Sequence, residues 1–92
     1  MQTLKIMIHG KVQDVFLRTN LKDLCILHNV KGYVKNLENG TVEAIFQGND
    51  FDINKVVRIL NEGIGEAEIE KIDKQELKNF PEFEDPEFEI RY

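Results

Sequence analysis

The chain has 92 residues, which is enough for one hydrophobic core and too few for two domains. Hydrophobic residues make up 41% of it and charged residues 32%, a balance typical of a globular protein and not of a disordered one. The net charge of −5 argues against a nucleic acid or an anionic membrane as partner, because both are bound through basic faces.

The single cysteine, Cys25, excludes an internal disulfide and fits a reducing compartment. The first residues contain no apolar run long enough for a signal peptide, and no segment approaches the roughly 20 apolar residues of a membrane span. These features together predict a cytoplasmic protein.

The first predicted element is a strand. Leu4, Ile6 and Ile8 alternate with other side chains, which is typical of a strand with one buried face. We expect Gly10 to end this strand. Residues 11–16 have no clear period, so they are predicted to form a loop.

A helix and a hairpin follow the loop. Apolar side chains at helical spacing from Leu17 onward predict an amphipathic helix that ends near Asn29. Residues 30–37 and 41–47 have the pattern of strands, and the Asn-Gly pair between them is a strong hairpin signal.

The second half of the chain predicts one more helix and two more strands. An apolar stripe from Ile53 to Ile64 indicates the helix, with Asp50 or Asp52 as its N-terminal cap. Residues 67–77 are predicted to be a charged strand near a sheet edge. Residues 79–87 contain both prolines and are predicted to be a loop, followed by a short alternating strand at residues 88–92.

The predicted order is strand, helix, strand, strand, helix, strand, with a short terminal strand. This order predicts an α+β fold of the ferredoxin-like, split βαβ kind, with an antiparallel sheet and two helices on one face. We expect residues 1–92 to form a single domain.

The segment from Gly10 to Arg18 joins the first strand to the first helix and predicts an anion site. A helix N-terminus leaves backbone N–H groups unpaired and carries partial positive charge. A loop that curls in front of it can aim more N–H groups at the same point. Arg18, in the first turn, adds a forked cationic donor that suits phosphate oxygens.

A second segment, Gly32 to Gly48, covers the predicted hairpin. Its notable residue is Asn36, near the end of a strand. The amide of an asparagine is neutral, and it can both donate and accept hydrogen bonds. Such a group is able to hold a water molecule beside a substrate.

Together the two segments resemble the signatures of the acylphosphatase family. The first family signature is Gly-x-Val-Gln-Gly-Val-x-(Phe/Tyr)-Arg, and the second is Gly-aromatic-Val-Lys/Arg-Asn-x-x-x-Gly-x-Val with a later Gly. The second is matched throughout. The first is matched at Gly10, Val12, Gln13, Val15 and Arg18. Two linked signatures are far more specific than one short motif.

The resemblance implies hydrolysis of the carboxyl–phosphate bond of small acyl phosphates, without a metal or a cofactor. By matching position, Arg18 would bind the phosphoryl group and Asn36 would orient the attacking water. The resemblance also implies a monomer that binds acyl phosphate or inorganic phosphate. The backbone that would cradle the phosphoryl oxygens is that of Lys11, Val12, Gln13, Asp14, Val15, Phe16 and Leu17.

Two positions depart from the first signature. Leu17 stands where the family has Phe or Tyr, which is a packing change. Asp14 stands where the family has Gly. A side chain at positive φ costs roughly 1–2 kcal/mol, and a carboxylate there would repel a phosphoryl group. The alternative function is therefore a catalytically impaired acylphosphatase-like binding module. An inward Asp14 carboxylate favours this module, and an outward one favours the enzyme.

Individual residues also have structural alternatives. Arg18 could form a surface ion pair with Asp23 or Glu43, and Asn36 could bond the backbone beside the hairpin. Gln13 could fix the loop as readily as contact a substrate. Cys25 lies on the apolar stripe of the first helix and is predicted to be an inert core thiol.

Overall fold

A computed structural model describes the whole chain from Met1 to Tyr92. The predicted order of elements is confirmed. The seven elements are β1 Gln2–Lys11, α1 Leu17–Leu27, β2 Lys31–Asn36, β3 Val42–Gly48, α2 Asp50–Glu62, β4 Glu68–Glu76 and β5 Glu89–Arg91.

The five strands form one sheet in the order β4-β1-β3-β2-β5. The pairs β1–β3, β1–β4 and β2–β3 are antiparallel, which confirms the ferredoxin-like split βαβ plan. β5 joins β2 in parallel, so the complete sheet is mixed where an antiparallel sheet was predicted. After β4, the chain crosses to the opposite edge of the sheet before β5 pairs with β2. This path sets the direction of β5.

Both helices cover the same face of the sheet, and the hydrophobic core lies between them and the sheet. The alternation predicted for β1 and β3 is confirmed, since every second side chain of each is buried there. The sheet contributes Leu4, Ile6, Ile8, Val34, Val42, Ala44 and Phe46 to this core. The helices contribute Leu17, Leu21, Cys25, Ile53, Val56, Val57 and Leu60.

The predicted cap of α2 is wrong. The helix starts at Asp50, and the residue before it, Asn49, is the N-cap with extended backbone. Its side-chain Oδ1 accepts a hydrogen bond from the backbone N–H of Asp52 at 2.8 Å. An N-cap lies outside the helix and reaches forward to the N–H two or three residues on, which neither aspartate can do from its position.

The ends of other elements differ slightly from prediction. α1 ends at Leu27 with His28 as its C-cap, two residues before the predicted end near Asn29. Gly10 does not end β1, which continues to Lys11 through an irregularity between His9 and Gly10. β4 lies at a sheet edge, as predicted, and most of its side chains are exposed. Neither helix is long and apolar enough to cross a membrane.

The second face of the sheet is partly covered by the segment between β4 and β5. Gln47, which is fully buried in β3, holds this segment in place. Its Nε2 donates to Thr3 Oγ1 and to the carbonyl oxygen of Pro81, both at 3.0 Å. Its Oε1 accepts from the backbone N–H of Phe83 at 2.8 Å. One side chain therefore ties the C-terminal loop to the sheet.

Candidate active site

The candidate loop leaves β1 through the bulge at Gly10. Gly10 has φ +128°, and a Cβ atom there would lie 2.2 Å from the carbonyl oxygen of Glu68 in β4. Only glycine fits such a close approach of two backbones. The first residue of the first signature thus sets the direction in which the loop leaves the sheet.

Two loop residues have left-handed backbone conformation: Asp14 with φ 61° and Phe16 with φ 60°. Phe16 is the N-cap of α1, and no side chain caps the helix. The backbone N–H groups from Asp14 to Thr19 donate to no other protein group. In contrast, α2 is capped by Asn49 and carries acids in its first turn, whereas α1 has no acid there.

This contrast between the two helices makes the N-terminus of α1 the candidate anion site. Unpaired N–H groups and the helix dipole both favour negative charge. An acid in the first turn of α1, or a side-chain cap, would occupy the groups that an anion needs.

A cavity of about 380 Å³ opens in front of this helix end. Half of its lining is apolar and half is polar. The lining residues are Val12, Asp14, Phe16, Leu17, Arg18 and Thr19. Five of these were predicted site residues. Thr19 was not predicted, although its place in the first turn of the helix was a signal for it.

The remaining predicted loop residues lie outside the cavity lining. Lys11 pairs with Glu68 in the β-ladder and its side chain is exposed, so it marks the start of the loop. Val15 is partly buried and packs against the core.

Gln13 fixes the loop to the second signature segment. Its Nε2 donates to the carbonyl oxygens of Leu37 and Thr41, at 2.8 and 2.9 Å. Leu37 and Thr41 flank the β2–β3 turn and are themselves joined by a backbone hydrogen bond. The loop-fixing alternative for Gln13 is therefore what the structure shows, and this amide holds the two signature segments together.

Asn36 lies at the end of β2 and pairs with Val42, which also pairs with Ile8 of β1. Two strand spacings put Asn36 about 10 Å from Ile8, three residues before the end of β1. The side chain is two residues beyond that of the buried Val34 along the strand, so both are on the face that the helices cover. Its Oδ1 is buried and has no hydrogen-bond partner. The Oδ1 atom therefore does not support the alternative in which Asn36 hydrogen-bonds to backbone beside the hairpin.

Arg18 forms no ion pair with either acid suggested by the sequence. Glu43 pairs instead with Lys5 and Lys35, at 3.6 and 3.7 Å. The Arg18 guanidinium carbon lies 5.0 Å from the ring centroid of Tyr92. Because no carboxylate neutralises it, the charge of Arg18 remains available to an anion in the cavity.

Asp14 lines the cavity and is exposed to solvent. Asp14 has the positive φ that a glycine, the family residue at this position, adopts easily. Aspartate tolerates this region better than most residues. Because solvent surrounds the side chain, its repulsion of an anion is screened by water and salt.

Cys25, on the buried side of α1, plays no part in this site. Burial raises the pKa of its thiol above the ordinary value, which keeps the sulfur protonated and unreactive. No group of three or more histidine, cysteine and acidic side chains is placed to hold a metal ion.

Comparison with known proteins identifies the family. The family model described as Acylphosphatase matches residues 4–90. The chain belongs to the acylphosphatase family. An acylphosphatase from Syntrophus aciditrophicus is 35% identical over 92 residues, covering 100% of this chain and 94% of the relative. One from Haloarcula marismortui is 33% identical over 91 residues, covering 95% of this chain and 92% of the relative.

The crystal structure of acylphosphatase from Bacillus subtilis superposes with a TM-score of 0.91 at 24% identity, and the match covers 100% of both chains. This likeness supports the fold. The resemblance inferred from the two signatures is thereby confirmed, and the alternative of an impaired acylphosphatase-like binding module is not favoured.

Proposed function

We propose that this protein hydrolyses small acyl phosphates to a carboxylate and inorganic phosphate. The observation that carries the proposal is the uncapped N-terminus of α1, with its unpaired N–H groups and the unpaired Arg18 facing one cavity. Membership of the acylphosphatase family supports the same reaction.

The proposed chemistry breaks the bond between phosphorus and the carboxyl oxygen. Water forms the new bond to phosphorus, the carboxylate leaves with the bonding electron pair, and the proton of the water is released to phosphate or solvent. A carboxylate is a good leaving group, so catalysis depends mainly on positioning and on stabilising charge on the phosphoryl oxygens. The site is suited to this task because its donors are fixed by the bulge, the helix end and the Gln13 amide.

Each site residue has a proposed part in this reaction. Arg18 binds two phosphoryl oxygens through its guanidinium group. The backbone N–H groups from Asp14 to Thr19 hold the same oxygens. Asn36 orients the attacking water with its side-chain amide, whose Oδ1 accepts a hydrogen bond from no protein group.

The test compares wild type with Arg18→Ala and with the control Arg58→Ala, an exposed arginine on α2. We expect Arg18→Ala to lower kcat/KM for acetyl phosphate by about 10²–10³-fold, the usual cost of one preorganised donor. Competitive inhibition by inorganic phosphate should weaken in the same variant. Arg58→Ala should behave as wild type. Full activity in Arg18→Ala would overturn the assigned role.

We further propose that residues 1–92 act as a single acylphosphatase-like domain, as a monomer in the cytoplasm. The proposed ligands are acyl phosphate and inorganic phosphate, with no nucleic acid and no membrane as partner. The net charge of −5 supports this choice. Sedimentation measurements on the purified chain would test the monomer, and a dimer mass at micromolar concentration would contradict it.

A further inference from the structure

Phe16 is an unusual residue for its place in the loop. A bulky side chain at φ 60° is a conformational outlier, and the N-cap position favours Ser, Thr, Asp, Asn or Gly. The ring is 76% exposed, so burial offsets neither the strain nor the missing cap. It stacks on no other aromatic ring and holds no cation. Phe16 thus makes little visible contribution to folding.

The ring does contribute to the cavity in front of α1. The apolar part of that lining consists of Val12, Phe16 and Leu17. Val12 and Leu17 are each only 1% exposed, so they present almost no surface to a ligand. Phe16 therefore supplies nearly all the apolar surface of the cavity. The polar part of the lining consists of Arg18, Thr19 and Asp14.

An acyl phosphate has the same division into a charged and an apolar part. A phosphoryl group bound by Arg18 and the helix N-terminus would leave the acyl group to extend away from the helix end. We propose that the side chain of Phe16 contacts the acyl group and makes the enzyme selective for acyl phosphates with an aromatic or large apolar acyl group. This inference rests on the proposed function and adds the substrate class to it.

The probes are benzoyl phosphate and acetyl phosphate, which share the reacting bond and differ in the acyl group. A pair of aromatic rings contributes enough to change affinity by about 2- to 12-fold. We expect Phe16→Ala to lower the benzoyl-to-acetyl ratio of kcat/KM by that factor. The loss should lie in the KM for benzoyl phosphate, because the acyl contact is equal in the ground and transition states.

Two further variants sharpen the test. Phe16→Tyr keeps the ring and should keep the wild-type ratio. Phe51→Ala removes a ring on α2 that is 73% exposed and does not line the cavity, so its ratio should also be that of wild type. Phe16→Ala keeps a Cβ atom, and thermal unfolding should show no loss of stability.

The outcomes separate the two proposals. An unchanged ratio in Phe16→Ala, with acetyl phosphate still hydrolysed and inhibited by inorganic phosphate, overturns the role of Phe16 and leaves the proposed function standing. An equal fall in kcat for both substrates also overturns it, since Phe16 would then shape the phosphoryl site. Wild type that hydrolyses neither substrate overturns both proposals.

Discussion

At the scale of single residues, the loop combines strain with unmet hydrogen-bonding capacity. Asp14 and Phe16 have left-handed backbone, the buried Oδ1 of Asn36 has no partner, and Arg18 has no carboxylate beside it. The two left-handed residues and the unpaired Oδ1 cost folding free energy. Asp14, Phe16 and Arg18 line one cavity, and Asn36 is outside its lining. Strained backbone and unmet hydrogen-bonding groups are features that recur at binding sites.

Substitutions of Asp14 can separate the effect of its negative charge on activity from the effect of its left-handed backbone conformation. Asp14→Asn keeps the size of the side chain and its tolerance of positive φ while removing the charge. Because the site is exposed, a unit charge nearby is worth about 1 kcal/mol, or roughly a factor of 5. We expect Asp14→Asn to raise kcat/KM and phosphate affinity by about that factor at low salt, with a smaller gain at high salt.

Asp14→Gly is the matching variant. It removes the same charge and also relieves the left-handed strain, so it should equal Asp14→Asn in activity and exceed it in stability by about 1 kcal/mol. If Asp14→Asn has wild-type kinetics at low ionic strength, the substrate does not experience this carboxylate.

Asn36 offers a test that separates function from structure. Its buried Oδ1 is an unsatisfied acceptor, and such groups cost roughly 1–3 kcal/mol. Asn36→Leu should therefore abolish most activity and yet raise the free energy of unfolding by about 1 kcal/mol in urea titrations. A residue that merely braces the hairpin would give the opposite sign of the stability change, and full activity in Asn36→Leu would refute the water-orienting role.

At the residue scale, sequence could predict the candidate site because its signature residues are close together along the chain. Gly10, Arg18 and Asn36 were recognisable by type and spacing. The role of Gln13 was left open, because its acceptors, Leu37 and Thr41, are on another segment. A hydrogen bond between segments more than 20 residues apart has no local sequence signal.

At the scale of elements, the two helices differ most at their first turns. Both are amphipathic and pack on the same face of the sheet, but only α2 has a capping side chain. Capping is worth about 1 kcal/mol. α1 lacks the stabilisation of a side-chain cap, and its N-terminal N–H groups are therefore available to the anion of the proposed function.

This difference gives a prediction for Asn49. Asn49→Ala removes the cap of α2 and should lower the free energy of unfolding by about 1 kcal/mol, which is roughly 4–8 °C in Tm for a domain of this size. Activity should be unchanged, because Asn49 is outside the cavity lining. Asn54→Ala, at an exposed position within α2, is the control and should not destabilise the protein.

The elements themselves were predictable because each has a local period. Strand alternation, helical spacing and the Asn-Gly turn depend on neighbours in sequence. The parallel direction of β5 and the bulge at Gly10 were not predictable, since both depend on which strand lies alongside. The cap of α2 was missed by one residue, a typical error at helix ends.

At the scale of the whole molecule, the C-terminal loop is held to the sheet by the buried amide of Gln47, beside the contacts of Lys31 with Glu82 and Phe83. Gln47→Ala would leave the Phe83 N–H and the Pro81 carbonyl oxygen without their partner. We expect a loss of about 2–4 kcal/mol, or roughly 10–30 °C in Tm. Gln75→Ala, at an exposed position in β4, is the matched control.

Hydrogen exchange provides the second measurement on Gln47→Ala. The amide of Phe83 should lose protection more than the amides of β1, because the variant releases the loop before the sheet. Equal melting temperatures for Gln47→Ala and Gln75→Ala would show that the loop is held by other contacts.

The strand order has a consequence for how this protein is made. β1 lies inside the sheet, between β3 and β4, so Leu4 pairs with Phe46 on one side and with Glu76 on the other. On a ribosome, β1 emerges before both of its partners, and its apolar side chains are not fully shielded until β4 has been translated. Pairings so distant in sequence slow folding relative to local ones. Nascent chains truncated before residue 68 should therefore remain protease-sensitive and chaperone-dependent.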